Sequence, residues 1–95
     1  MKTNELTGNA LNWAVNHVEG LTGVLSPVNY CGKWEHGGPI IEREGIATGK
    51  SWECWKAFTD ANTGEGPTPL TAAMRCYVAS KLGDEVEVPD ELIGE

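Results

Sequence analysis

The chain has 95 residues, of which 40% are hydrophobic and 22% are charged. These proportions are ordinary for one globular domain with a single modest core, so we expect residues 1–95 to form a single domain. Fourteen acidic residues against seven basic ones give a formal net charge of −7. Because proteins bind duplex nucleic acid through Lys and Arg side chains that neutralise phosphates, this charge argues against duplex DNA or RNA as a partner.

Cysteine usage and the lack of long apolar runs both indicate a cytoplasmic protein. Cys31, Cys54 and Cys76 are an odd number, widely spaced and without a Cys-x-x-Cys pair, which argues against a zinc site and a disulfide framework. No apolar run approaches the roughly 18 residues of a membrane span, and the N-terminus lacks the apolar run of a signal peptide. We therefore expect no metal, no cofactor and no membrane as partners.

Two helices are predicted near the ends of the chain. Thr7 is a suitable N-cap, and the apolar residues that follow it recur at helical spacing, so residues 8–19 are predicted to be helical with Gly20 as the stop. Near the other end, Thr68 is a suitable cap, Pro69 suits the first helical position, and Gly83 marks the end. The first helix is predicted to be amphipathic, and the last helix is predicted to carry one continuous apolar stripe. Five residues are predicted to be buried together between them: Leu11, Val15, Met74, Tyr77 and Val78.

The middle of the chain reads as strands and loops. Extended segments are predicted at residues 39–43, 45–48 and 51–58, with a hairpin turn at 48–51 and one more short edge strand between residues 24 and 30. Residues 31–38 and 59–67 are rich in Gly and polar residues and are predicted to be loops. The expected fold is α+β: a small antiparallel sheet of three to four strands, with N- and C-terminal helices packed on one face in α-β-β-β-α order.

Four tryptophans are many for 95 residues. Trp13 and Trp52 are predicted to help fill the core, whereas Trp34 and Trp55 are candidates for an exposed stacking surface. An exposed tryptophan would give affinity for a planar group, such as a nucleotide base, without requiring many positive charges.

The segment from Trp34 to Pro39 is the least ordinary stretch and is the candidate binding loop. Gly37 and Gly38 allow close approach of the backbone, while Trp34 and His36 bring a stacking face and a titratable hydrogen-bonding group. The start of the last helix could add backbone N–H groups for an anion, and an arginine could hold a phosphate or carboxylate in its planar fork. The candidate ligand-binding residues are Trp34, His36, Gly37, Gly38, Pro39, Arg43, Pro67 and Thr68.

Two alternatives to this binding site stay open. The first is that the Trp34–Pro39 segment is an ordinary structural loop that leads into a strand. The second is a small hydrolase that uses His36 together with Glu35, Glu42 or Glu44 as acid–base groups. Nothing in the sequence specifies a catalytic constellation, so we expect a protein that is not an enzyme.

Three segments resemble the NinX family of lambdoid phages. They are Leu6-Thr7-Gly8 followed by Ala10-Leu11 and Trp13-Ala14-Val15, then the run from Gly37 to Glu44, and then Gly66-Pro67-Thr68-Pro69-Leu70 continuing from Ala72 to Gly83. The resemblance implies an accessory phage protein of undefined biochemical role, and accessory phage proteins often act on host machinery or host defences. With the candidate loop, it predicts a non-enzymatic binding protein of the host cytoplasm. Such a protein would sequester a small nucleotide-like signal or occlude a host protein, and we expect it to form a homo-oligomer.

Overall fold

The computed structural model describes residues 2–19, 29–60, 62–83 and 85–87. A short 3-10 helix, Thr3–Glu5, precedes three α-helices and three strands. The helices are α1 (Gly8–Val18), α2 (Trp34–Glu44) and α3 (Pro69–Leu82), and the strands are β1 (Ala47–Lys50), β2 (Trp55–Phe58) and β3 (Thr63–Gly66). The strands form one antiparallel sheet in the order β1-β2-β3. The predicted α+β class, with helices packed against a small antiparallel sheet, is confirmed.

The bounds of α1 and α3 follow from local signals in the sequence. In α3, the Thr71 backbone N–H donates to the Thr68 hydroxyl at 3.1 Å, and Pro69 occupies the first helical position. Both features match the predicted cap. In α1, Thr7 has the extended backbone of an N-cap, but its side chain makes no capping hydrogen bond. The predicted stop at Gly20 lies outside the described residues.

Helix α2 occupies the segment that was predicted to be a loop followed by a strand. The prediction of an extended segment at residues 39–43 is therefore wrong. Pro39 lies inside a helix, although proline has no N–H group to donate to the helix backbone. Tertiary packing offsets this cost, because Gly37 and Ile40 are buried on one side of α2. Gly45 then ends the helix in the left-handed region at φ 64°, where the absence of a Cβ makes that conformation accessible.

The hairpin between β1 and β2 lies three residues further along the chain than predicted. The Ser51 N–H donates to the Cys54 carbonyl at 2.8 Å, so residues 51–54 form the turn and β2 begins at Trp55 instead of Ser51. β3 falls inside the predicted 59–67 loop, so that loop prediction is wrong. Of the predicted edge strand between residues 24 and 30, residues 24–28 lie outside the described part of the chain, and Tyr30 is in a turn.

Helix α3 lies so close to β3 that the facing strand positions must be glycine. A Cβ on Gly64 would come within 2.5 Å of both the Ala72 carbonyl oxygen and the Cys76 backbone nitrogen. A Cβ on Gly66 would come within 3.0 Å of the Ala72 nitrogen. These two glycines alternate along the strand, so they share the covered face of the sheet. β3 thus presents a flat backbone surface to α3. This close contact explains why β3 has glycines instead of β-branched residues on the face that α3 covers.

The core forms between the covered face of the sheet and the helices. α3 contacts all three strands, and both α1 and α2 pack against α3. The five predicted core residues are confirmed as buried in one cluster. Trp13 packs against that cluster, but Trp52 is fully exposed in the β1–β2 turn, so its predicted place in the core is wrong. Among the described helices, none has the length and apolar character needed to cross a membrane.

Candidate functional site

Five of the predicted site residues lie in the first half of α2 instead of in a loop. Trp34, His36 and Pro39 are exposed there, whereas Gly37 is buried and Gly38 is partly buried. The Trp34 side chain is 57% exposed, which is unusual for a residue of this size. The helical backbone holds these groups in a fixed arrangement that a loop would not provide.

The first half of α2 meets the start of α3 at Gly37. A Cβ on Gly37 would clash with the Tyr30 carbonyl oxygen and would lie 2.5 Å from Leu70 Cδ1, so a larger residue could not occupy this position without a shift. Leu70 is in the first turn of α3. The Trp34 ring lies beside Gly38, one helical turn away, with its Cε3 atom 3.6 Å from the Cβ position of that glycine. We call this region, formed by Trp34, Gly37, Gly38 and Leu70, the α2–α3 junction.

Pro67 and Thr68 lie next to this region in sequence, immediately before α3. The Thr68 hydroxyl accepts from the Thr71 N–H and donates to the Thr71 hydroxyl at 3.0 Å, so its hydrogen-bonding capacity serves the cap of α3. Pro67 is exposed and forms part of the wall of a cavity of about 420 Å³ that also contains Arg75. The start of α3 therefore meets α2 through Leu70 and Gly37, whereas Pro67 borders a cavity lined by other residues.

Arg43, the predicted cation of the site, lies at the other end of α2. At about 1.5 Å and 100° per residue, the nine residues from Trp34 place it roughly 13 Å along the axis and on the opposite side of the helix. Its guanidinium donates from Nη1 to Glu19 Oε1 at 3.0 Å and from Nη2 to Glu19 Oε2 at 2.8 Å. It also donates to Glu44 Oε2 at 2.9 Å and to the Tyr77 hydroxyl at 2.9 Å. The structure does not bring Arg43 and Trp34 together.

These contacts join the ends of α1 and α2 to the middle of α3. The Tyr77 hydroxyl also donates to Glu19, and the Arg43 guanidinium lies 5.7 Å from the centre of the Tyr77 ring. The hydrogen bonds from Arg43 hold the pKa of Glu19 below its ordinary value and do the same for Glu44. Burial is the main reason that the pKa of Tyr77 is raised, so its hydroxyl stays protonated and acts as a donor. The cluster therefore forms a compact ionic link between three helices.

The residues of the hydrolase alternative do not converge. His36 Nε2 lies 3.9 Å from Glu35 Oε1, and both side chains are largely exposed. Glu42 is exposed, and Glu44 is engaged with Arg43 and, at 3.6 Å, with Lys81 Nζ. Within residues 2–19, 29–60, 62–83 and 85–87, no group of three or more His, Cys, Asp or Glu side chains is arranged to hold a metal ion.

Three residues of these sites were missed from the sequence. Glu19 and Tyr77 are the partners of Arg43, yet they lie 24 and 34 residues from it in the chain, and no local pattern links them. Arg75 is the third. The signal for it was its place in the sequence, directly after the five residues from Leu70 to Met74, all of which are buried in α3.

Comparison with known proteins agrees with the resemblance seen in the sequence. The family model described as "Bacteriophage P22, NinX" matches residues 26–81, which is more than half of the chain. The matched region runs through α2, the sheet and nearly all of α3. No curated protein matches the chain. Since the match covers more than half of the chain, including α2 and the whole sheet, we conclude that the chain belongs to the NinX family of phage accessory proteins.

Proposed function

We propose that this protein is a non-enzymatic binding protein that acts in the host cytoplasm by occluding a surface of a host protein, and that Trp34 is its anchor. The observation that carries the proposal is the packing of Gly37 against Leu70, beside which Trp34 remains 57% exposed. A large aromatic side chain on a rigid helix contributes much binding energy, since little conformational entropy is lost when it enters a pocket.

The surroundings of Trp34 support a protein as the partner. Lys33, Glu35 and His36 are all exposed next to it, which gives the apolar ring the polar rim typical of protein interfaces. The net charge of −7 favours a partner with a basic surface, because opposite charges speed the encounter. A single nucleotide is supported less well: Arg43 lies on the far side of α2 and is already bonded to two carboxylates.

The test compares two exposed tryptophans. Host proteins that bind the purified protein are identified by mass spectrometry, and the affinity of each purified candidate is then measured by calorimetry for the parent, Trp34→Ala and Trp52→Ala. We expect Trp34→Ala to weaken binding by about 30-fold, the effect of removing a roughly 2 kcal/mol anchor. Trp52→Ala removes a fully exposed ring elsewhere and is expected to bind as the parent does.

The same pair of variants is informative in infected cells. A phage that carries Trp34→Ala should show the phenotype of a deletion, whereas one that carries Trp52→Ala should not. Equal behaviour of Trp34→Ala and the parent in both assays would place the binding surface elsewhere on the molecule. Release of a nucleotide from the denatured parent protein, detected by mass spectrometry, would favour sequestration of a small signal instead.

A further inference from the structure

The Arg75 side chain leaves α3 and reaches around the outer edge of the sheet. Its Nε donates to the Leu6 carbonyl at 2.8 Å, and its Nη1 donates to the Glu65 carbonyl at 2.6 Å. These bonds hold the segment before α1 against β3. They use two of the five N–H groups of a guanidinium, and both acceptors are neutral main-chain oxygens.

Arg75 differs from Arg43 in its charge environment. Arg43 is paired with two carboxylates, whereas no carboxylate in the described part of the chain forms an ion pair with Arg75. Burial of the guanidinium lowers the pKa of Arg75. A partly buried cation without a counter-ion is costly, and the contrast is sharp in a chain with 14 acidic and 7 basic residues.

The acidic side chain of Glu65 is close in sequence to these contacts but lies on the other face of the sheet. Gly64 and Gly66 face α3, so the Glu65 side chain points to the open face. There it is opposite Lys56, whose Nζ lies 3.8 Å from Glu65 Oε1. Arg75 comes from the covered side and meets the Glu65 main chain alone. This geometry explains why the two opposite charges do not pair.

The guanidinium borders the cavity of about 420 Å³ that Pro67 also lines, and we call this space the Arg75 cavity. Asn4, Cys54 and Gly66 form further parts of its wall, together with the carboxylate-bearing residues Glu53 and Glu65. Its volume is more than ten times the roughly 30 Å³ of a water molecule, so it has room for an anionic group and the atoms attached to it. Because the Glu65 carboxylate is paired with Lys56, Glu53 is the acidic residue of the wall that disfavours ligands with several negative charges.

We propose that the Arg75 cavity is a binding site for a singly charged oxyanion, a carboxylate or a phosphate group, which supplies the counter-ion that the protein itself does not. The planar guanidinium binds either group through charge-assisted hydrogen bonds. The site stands on residues other than those of the α2–α3 junction, so it holds whether or not Trp34 anchors a host protein.

The site is tested by titrating the purified protein with sodium acetate and with dimethyl phosphate, a singly charged phosphate, at constant ionic strength, with sodium chloride as the reference. The Nε–Hε signal of Arg75 and the amide signals of Asn4 and Gly66 are followed by nitrogen–proton NMR. We expect saturable shifts of these signals with acetate or dimethyl phosphate and none with chloride. The stronger of the two probes identifies the group that the site prefers.

Variants distinguish binding at this site from the screening of protein charges by added salt. Arg75→Lys keeps the positive charge but loses the planar guanidinium that binds an oxyanion through two N–H groups, so it should weaken binding by about tenfold. Asn4→Trp fills the cavity without altering Arg75 and should cause a similar loss, which keeps the test valid if Arg75→Lys does not fold. Lys50→Gln removes a cation two strands away and should bind as the parent does. Shifts that are linear and equal in chloride, or unchanged affinity in Asn4→Trp, would overturn the proposal.

Discussion

Glu19, directly after α1, receives two hydrogen bonds from the guanidinium of Arg43 on α2, at 2.8 and 3.0 Å. Tyr77 on α3 donates to the same carboxylate, so one acidic side chain links three helices. The Glu19 side chain is 19% exposed and that of Arg43 is 50% exposed, which places the pair at the boundary of the core. An ion pair with such limited solvent access is stronger than a fully exposed one.

This link predicts acid sensitivity. The pKa of Glu19 in the folded protein lies below its ordinary value of 4.5, mainly because of the hydrogen bonds from Arg43. The unfolded chain therefore binds the proton more readily, so the stabilisation is complete above that ordinary value and is lost as the pH falls through the folded value. We expect the melting temperature of the parent, measured by circular dichroism, to fall as the pH is lowered below about 5.

Glu19→Gln isolates the contribution of this carboxylate. At neutral pH the variant should be less stable by about 1 kcal/mol, or roughly 4–8 °C in melting temperature. As the pH falls, the melting temperature of the parent should approach that of the variant, because protonation of Glu19 removes the same interaction from the parent. Glu53→Gln, an exposed substitution, serves as the control and should follow the parent. Parallel curves for the parent and Glu19→Gln at all pH values would show that this pair does not cause the acid sensitivity.

The contact between β3 and α3 gives a prediction about stability. Gly64→Ala places a Cβ within 2.5 Å of two α3 backbone atoms, and backbone cannot move aside as a flexible side chain can. We expect a loss of about 3 kcal/mol in the free energy of unfolding, measured by urea denaturation. Gly49→Ala on β1 is the matched control, since a Cβ there meets nothing within 4 Å, and its effect should stay within about 1 kcal/mol. Equal stability of the two variants would contradict the close packing of α3 on β3.

The parts of the fold that could be predicted are those whose signals are local. Thr68, Pro69 and Gly83 delimit α3 within a residue, because caps act on the adjacent helical turn. α2 was missed because Gly37, Gly38 and Pro39 are poor helix residues when judged by propensity alone. Gly37 is required where α2 approaches Tyr30 and Leu70, and Ile40 is buried beside it. The packing that overrides propensity there involves residues distant in the chain.

The same distinction applies to the candidate site. The exposure of Trp34 could be expected, because it is surrounded in sequence by polar residues. The hydrogen bonds that engage the Arg43 guanidinium could not be expected, because they go to Glu19, directly after α1, and to Tyr77 on α3. Similarly, β3 was hard to predict because Gly64 and Gly66 are poor strand residues. Their role depends on α3, which lies over them.

Within the described residues, one edge of the sheet is available for association with a second copy. On β3, the outward carbonyl of Glu65 is bonded to Arg75, so that side chain covers the edge. β1 forms the opposite edge. The Ser51 N–H donates across to the Cys54 carbonyl, and backbone direction alternates along a strand. Gly49 and Ala47 therefore face β2, whereas the backbone groups of Thr48 and Lys50 point outward.

We therefore propose that the protein self-associates by pairing the β1 strands of two copies, and Thr48→Pro is the variant that tests it. Proline at this position removes an outward N–H and no hydrogen bond to β2, so the monomer should remain folded. Sedimentation velocity at tens of micromolar should show a dimer for the parent and a monomer for Thr48→Pro. Thr63→Pro on β3 is the comparison, because that edge is not the one proposed to pair, and a folded Thr63→Pro should remain dimeric. A parent protein that sediments as a monomer, or a Thr48→Pro variant that remains dimeric, would exclude association through β1.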